Sequence, residues 1–236
     1  TLAKKNIANL LGKYKTNIIL SSQGTPTLKA YIDLVKSGKI IVLFPFTGGS
    51  EFRLPELSNI VHLRASFKDE GKALLWYATK ILKLQKFVLF YQNDLSGLDL
   101  SRGAKKVLSK SKKTKFIEVE YLRGATDLEV ATKKILKFDQ DAILLFSSPL
   151  TSIELIRQLG IDNLAGKKII GHSTVLGIQD FLKSKGLGLV YDSLVPDIKT
   201  SELEIVKKYN KQAKKKNFSL SEFSLEAFID ASIFVD

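Results

Sequence analysis

The residue types that could do chemistry are sparse in this chain. The two histidines, His62 and His172, stand far apart, with no HxxxH or HExxH spacing to place two imidazoles on one helix face for a metal. The 236 residues include no cysteine, which excludes disulfide frameworks, cysteine nucleophiles and thiolate metal sites. There is no G-x-S-x-G elbow, no Walker A loop and no G-x-G-x-x-G; Gly48-Gly49 is too short to cradle a pyrophosphate. No catalytic residue, metal or cofactor is therefore expected, and the chain is not expected to be an enzyme. Carboxylates paired in a cleft and perturbing each other's titration would argue the other way.

What the chain does carry is a set of short hydroxyl- and glycine-bearing clusters. Gly24-Thr25-Pro26-Thr27 opens a helix, either as a plain cap with proline in the first turn or as an anion site on free N–H groups. Thr47-Gly48-Gly49-Ser50 is either a turn or a loop whose glycines let a ligand approach the backbone. Asp94, Ser96 and Gly97 precede a helix, where a cap alone would explain them. His172 follows a strand and is either cleft-facing or a partly exposed loop residue. Trp76 is expected in the core, and the Lys112–Lys115 and Lys214–Lys216 runs on solvated helix ends.

The elements that must position these clusters alternate. Strands are expected near 17–20, 40–44, 60–63, 86–91, 116–121, 142–146, 168–171 and 188–194, with helices of roughly 10 to 15 residues in the gaps, the pattern of βαβ units and parallel sheets. The all-apolar run Ile40–Phe44 reads as a strand buried on both faces. A helix is expected over 27–35. In the long helix 67–84, the spacing puts Ala73, Leu74, Tyr77, Ile81 and Leu84 on the packed face. In such sheets ligands bind outside the carboxyl ends of the strands, which singles out the loops 21–25, 45–50, 92–97, 147–151 and 172–176.

Composition is consistent with a folded α/β protein: 44% hydrophobic and 26% charged residues, with a net charge of +13. The excess is almost all lysine, 32 against five arginines. Specific phosphate and base recognition favours the planar guanidinium, so a solvated lysine surface is expected and nucleic acid is not. No apolar run approaches the roughly 18 to 20 residues of a membrane span.

Taken in order, these loops resemble those of a known family. The quoted stretches are Gly24–Thr27, Pro45–Gly49, His62-Leu63-Arg64-Ala65-Ser66-Phe67-Lys68-Asp69-Glu70, Val88–Asp94 with Gly97, Tyr121–Asp127, Asp141–Leu144 and Ser224–Phe228. The ordered set resembles the type I periplasmic substrate-binding proteins of ABC transporters, in the branched-chain amino acid and amide-binding group. That resemblance implies an α/β fold of two doubly wound parallel-sheet lobes. Lobe one would hold residues 1–62 and 197–236, and lobe two residues 63–196. Against the family pattern, a leading strand–helix–strand and a final crossing strand lie beyond these residues.

It also implies an extracytoplasmic solute-binding protein, periplasmic, secreted or lipid-anchored, made with a signal peptide and monomeric. Such a protein captures a small solute between its lobes and hands it to a membrane permease. A ligand-sensing domain of a receptor or regulator on the same fold is the alternative. Carried over by position, Thr25 would hold a ligand carboxylate, and Phe46, Thr47 and Gly48 would add hydroxyl and backbone contacts beside Gly24. Asp94 would be a further contact, Ser96 would stand at a contact position that is usually aromatic, and Ser148 or Pro149 would stand where an aromatic is common. Ser173, beside His172, stands where amino-acid binders place an acid for the ammonium. These departures widen the ligand class from amino acids to amides and organic or aromatic acids.

Overall fold

The computed structural model describes residues 1–235. In chain order the elements are α1 (Leu2–Gly12), β1 (Ile18–Leu20), α2 (Thr25–Lys29), α3 (Ile32–Lys36), β2 (Ile41–Leu43), β3 (Ile60–Val61), α4 (Phe67–Lys80), β4 (Lys86–Gln92), α5 (Leu95–Leu108), β5 (Lys115–Tyr121) and α6 (Glu129–Leu136). They continue with β6 (Ala142–Phe146), α7 (Pro149–Leu159), β7 (Lys168–Gly171), α8 (Gln179–Ser184), β8 (Leu189–Tyr191), α9 (Glu204–Lys216) and α10 (Glu222–Val235). A six-residue 3-10 helix, Ser173–Ile178, precedes α8. Among the described residues no helix is long and apolar enough to cross a membrane.

The chain forms two compact units, one of Thr1–Thr47, Glu51–Ala65 and Ser193–Asp236, the other of Gly48–Ser50 and Ser66–Asp192. The first unit is built on a parallel sheet of order β1-β2-β3. Ile19, Val42 and Ile60 point to one face, where they pack with Leu28, Tyr31, Val35, Phe52 and Leu57. The other face carries Ile18, Leu20, Ile41 and Val61, all substantially exposed. The run at 40–44 is thus a three-residue strand covered on one side, not a strand buried on both. The helix expected over 27–35 is also two five-residue helices. Tyr31 leaves helical geometry at φ −126° and turns inward, where its hydroxyl donates to Ser22 Oγ at 2.5 Å.

The second unit holds a five-stranded parallel sheet of order β5-β4-β6-β7-β8. Its centre is apolar on both faces, as doubly wound sheets require. Val88, Phe90, Ile143 and Leu145 pack on one side with residues of α6 to α8. Phe87, Leu89, Tyr91, Leu144 and Phe146 pack on the other with α4 and α5.

The packed stripe of α4 is Phe67, Glu70, Gly71, Leu74, Leu75 and Ala78, rotated from the expected one. Tyr77, Ile81 and the expected core residue Trp76 are exposed. Glycine decides this. A Cβ on Gly71 would stand 2.1 Å from Leu100 O, and one on Gly103 would stand 2.0 Å from Lys68 O. The two helices therefore touch backbone to backbone on their glycine sides.

Helix starts follow local chemistry. Ser66 caps α4 by accepting from Asp69 N at 3.1 Å. Asp94 caps α5, and Ser148 caps α7 with Pro149 in the first turn.

Candidate functional site

In the first unit the candidate residues Gly24, Thr25, Phe46 and Thr47 come together at the carboxyl ends of β1 and β2. The strand pairing runs on into the loops: Phe46 N donates to Ser22 O at 2.9 Å and Gly24 N to Phe46 O at 3.2 Å, with Gln23 and Phe46 forming a parallel bridge. Zipping the loops brings the Thr25 and Thr47 hydroxyls to 2.7 Å, both buried. Gly24 lies at φ +90°, backbone that a side chain would strain. Ser21 (φ 51°) and Phe44 (φ 52°) adopt left-handed conformations without being glycine, a strain that collects at functional loops.

Phe46 is held by its neighbours. The Arg64 guanidinium carbon sits 3.9 Å from the centre of its ring, a cation–π stack, and Phe223 tilts against it at 6.0 Å. Arg64 is buried and pairs with buried Glu226 at 2.6 Å. Neither partner of this ion pair was singled out from the sequence, although Arg64 and Glu226 both lie in stretches that carry the resemblance.

In the second unit the remaining candidates lie at the carboxyl ends of β4, β6 and β7 and in the Gly48–Ser50 loop. Ser50 fixes that loop by donating from N (2.9 Å) and Oγ (2.5 Å) to Asp99 Oδ2. Gly48 O accepts from Phe67 N at 2.7 Å, and a Cβ on Gly48 would stand 2.7 Å from the same nitrogen. Only glycine fits there.

Asp94 is committed locally. It caps Ser96 N (3.0 Å) and Gly97 N (3.2 Å), accepts from Gln92 Nε2, and pairs with Arg123. Ser96 enters the first turn of α5 through that cap. Ser148 N donates to the Tyr121 hydroxyl at 3.1 Å, and Tyr121 donates in turn to Gln92 Oε1 at 3.3 Å.

His172 is buried, so the exposed-loop reading is excluded. Its Nδ1 bonds Leu145 O at 3.1 Å and its Nε2 bonds the Thr174 hydroxyl. Because a carbonyl only accepts, Nδ1 carries a hydrogen. The ring stands edge-on to Phe67 and Phe146.

Beside it, Ser173 donates from Oγ (2.7 Å) and N (3.3 Å) to Glu70 Oε2. Glu70 is 2% exposed. Burial, reinforced by the negative charge of Glu70 and a hydrogen bond to it, pushes the Asp192 carboxyl up to about 8. The buried Glu70–Asp192 pair was not anticipated, because the two residues are far apart in sequence and each alone is unremarkable. Among the described residues, no group of three or more His, Asp or Glu could hold a metal ion.

These geometries can be set beside known proteins. No curated protein matches the chain in sequence. Among solved structures, a possible leucine/isoleucine/valine-binding protein from Rhodopirellula baltica superposes with a TM-score of 0.84 at 23% identity, over 98% of this chain and 64% of that one. A leucine-binding protein from Thermotoga maritima gives 0.83 at 15% identity, over 99% and 66%. An ABC-transporter solute-binding protein from R. palustris in complex with 4-hydroxybenzoate gives 0.82 at 17% identity, over 98% and 64%. The chain thus spans just under two thirds of the length of these proteins, and the fold it shares with them is the type I periplasmic-binding-protein fold of parallel-sheet lobes. The sequence profile described as periplasmic binding protein matches residues 1–236, and the chain belongs to the periplasmic binding protein family.

Proposed function

We propose that this chain is the solute-binding component of an ABC transporter, working outside the cytoplasm. It would capture one small polar or amphipathic solute and deliver it to a membrane permease. The observation that carries the reading is the convergence of the Thr25 and Thr47 hydroxyls at 2.7 Å, at the strand ends where doubly wound sheets bind ligands. The solute class is an amino acid, an amide, or an organic or aromatic acid, and the binder acts as a monomer.

In this reading Thr25 and Thr47 hold the acidic or carbonyl end of the solute, with the Phe46 ring as an apolar wall stiffened by Arg64. Gly24 and Gly48 bring backbone close. On the second unit Ser173 is the polar contact. Its hydroxyl donates its one hydrogen bond to Glu70, so the oxygen presents lone pairs and accepts from a ligand N–H. Ser148 and Ser96 add small polar walls, while Asp94 and His172 hold the loops rather than the solute.

The Glu70–Asp192 pair is the one feature that fits an enzyme, but binding proteins are what the family comprises. A thermal-shift screen of amino acids, amides and aromatic acids tests the proposal. One class should raise the melting temperature, by about 2.7 kcal/mol of stabilisation at a hundredfold excess over Kd. A flat response across the panel would overturn it.

A further inference from the structure

Trp76 and the lysine run at 112–115, remote in sequence, meet on the outer surface of the second unit. A groove of about 580 Å³ runs along the carboxyl-terminal part of α4 and past the end of α5, where Lys113 and Thr114 line it with Trp76. The indole is 51% exposed, and beside it on α4 Tyr77 is 41% exposed. Trp76 also borders a second groove, with Tyr77 and Tyr191 on its other side. It therefore stands on a ridge, not at the bottom of a hole.

The charge on this face is one-sided. Lys72, Lys80, Lys83, Lys110 and Lys113 line the groove against a single carboxylate, Asp69. That carboxylate already accepts the Ser66 hydroxyl at 2.6 Å. The lysine ion pairs of the described residues, such as Lys86–Asp139, Lys105–Glu118 and Lys207–Glu204, include none of these five. Five ammonium groups on flexible stems line the groove with a half-exposed indole.

We propose that this face docks on the surface of an anionic lipid bilayer, with Trp76 among the headgroups and the five lysines on lipid phosphates. Charge complementarity selects a polyanionic surface. Two further features select lipid. A tryptophan beside exposed apolar residues and ringed by lysine is the composition of an interfacial segment. And no arginine lines the groove, whereas planar, bidentate recognition of carboxylates on a folded partner favours guanidinium over the point charge of lysine. The proposal is independent of solute binding and needs only a membrane within reach.

Trp76 is the only tryptophan in the chain, so its emission reports on this face alone. The test mixes the intact chain with vesicles of phosphatidylcholine, or of phosphatidylcholine with phosphatidylglycerol, and follows emission and co-sedimentation. A blue shift and sedimentation with the anionic vesicles only, both lost at high salt, is the expected result. The triple variant Lys72→Glu, Lys80→Glu, Lys83→Glu should weaken partitioning more than about tenfold. Lys110→Glu with Lys113→Glu provides a second arm that leaves α4 intact. Unchanged emission with anionic vesicles overturns the proposal, as does sedimentation that both variants leave intact. A blue shift with polyglutamate but not with vesicles would overturn it in favour of an acidic polypeptide.

Discussion

Ser173 and Glu70 are 103 positions apart, yet Ser173 Oγ donates a hydrogen bond to Glu70 Oε2 at 2.7 Å. The bond ties the loop after β7 to the first turn of α4, and it fixes which way the serine presents its lone pairs. Asp192, at the end of β8, shares the same buried carboxylate. Three strands and helices of the second unit are thus held at one polar point.

That point sets a pH dependence. The Asp192 carboxyl keeps its proton in the folded chain up to about pH 8, whereas an unfolded aspartate loses it near 4. Across this window the folded state binds the extra proton. Its contribution to stability is therefore complete below about pH 4 and is lost as pH rises toward about 8. Asp192→Asn keeps a donor toward Glu70 and cannot ionise. Melting curves from about pH 5 to about pH 8 should fall less steeply for the variant than for the parent. Parallel curves would show that the carboxyl does not hold that proton.

The Arg64–Glu226 pair is buried on both sides. Glu226→Gln removes the ion-pair partner of the buried Arg64 guanidinium, leaving it only the more distant field of Asp230, and should cost about 3 kcal/mol in urea unfolding. The double variant Arg64→Met, Glu226→Leu removes both charges and should recover most of that loss. If the single variant were neutral, the ion pair would not anchor the stack on Phe46.

Gly48→Ala tests the loop of the second unit directly. The new methyl would meet Phe67 N and Cδ1, both at 2.7 Å, so either the loop or α4 must move. A loss of about 1–3 kcal/mol is expected. Gly12→Ala, where a Cβ meets nothing within 4 Å, is the matched control and should stay within about 0.5 kcal/mol of the parent.

The alternation of strands and helices was legible because parallel sheets impose it. Phe87–Tyr91 and Ala142–Phe146 could hardly be anything but central strands. The misread elements share one cause: local pattern does not say which neighbour an element will have. Ile41 has the composition of a doubly covered strand, but its side of the sheet is exposed. The helix 67–84 offered two apolar stripes, and the backbone contact at Gly71 and Gly103 chose the one that leaves Trp76 outside. At the candidate site, loop residues such as Thr25 and Thr47 could be named because each sits just past a strand. Glu70, Asp192, Arg64 and Glu226 could not, since a buried carboxylate or guanidinium is recognisable only beside its partner.

The central claim is that the hydroxyl pair at the ends of β1 and β2 holds a solute. Native mass spectrometry of the chain with a panel of amino acids, amides and aromatic acids tests it most directly, with Thr47→Val measured alongside and its fold checked by circular dichroism. A one-to-one adduct with a single chemical class is expected, with a population at least about tenfold lower in the variant, as losing a hydrogen bond to a charged or carbonyl ligand group implies. No adduct with any member of the panel, or an adduct that Thr47→Val leaves undiminished, would contradict it.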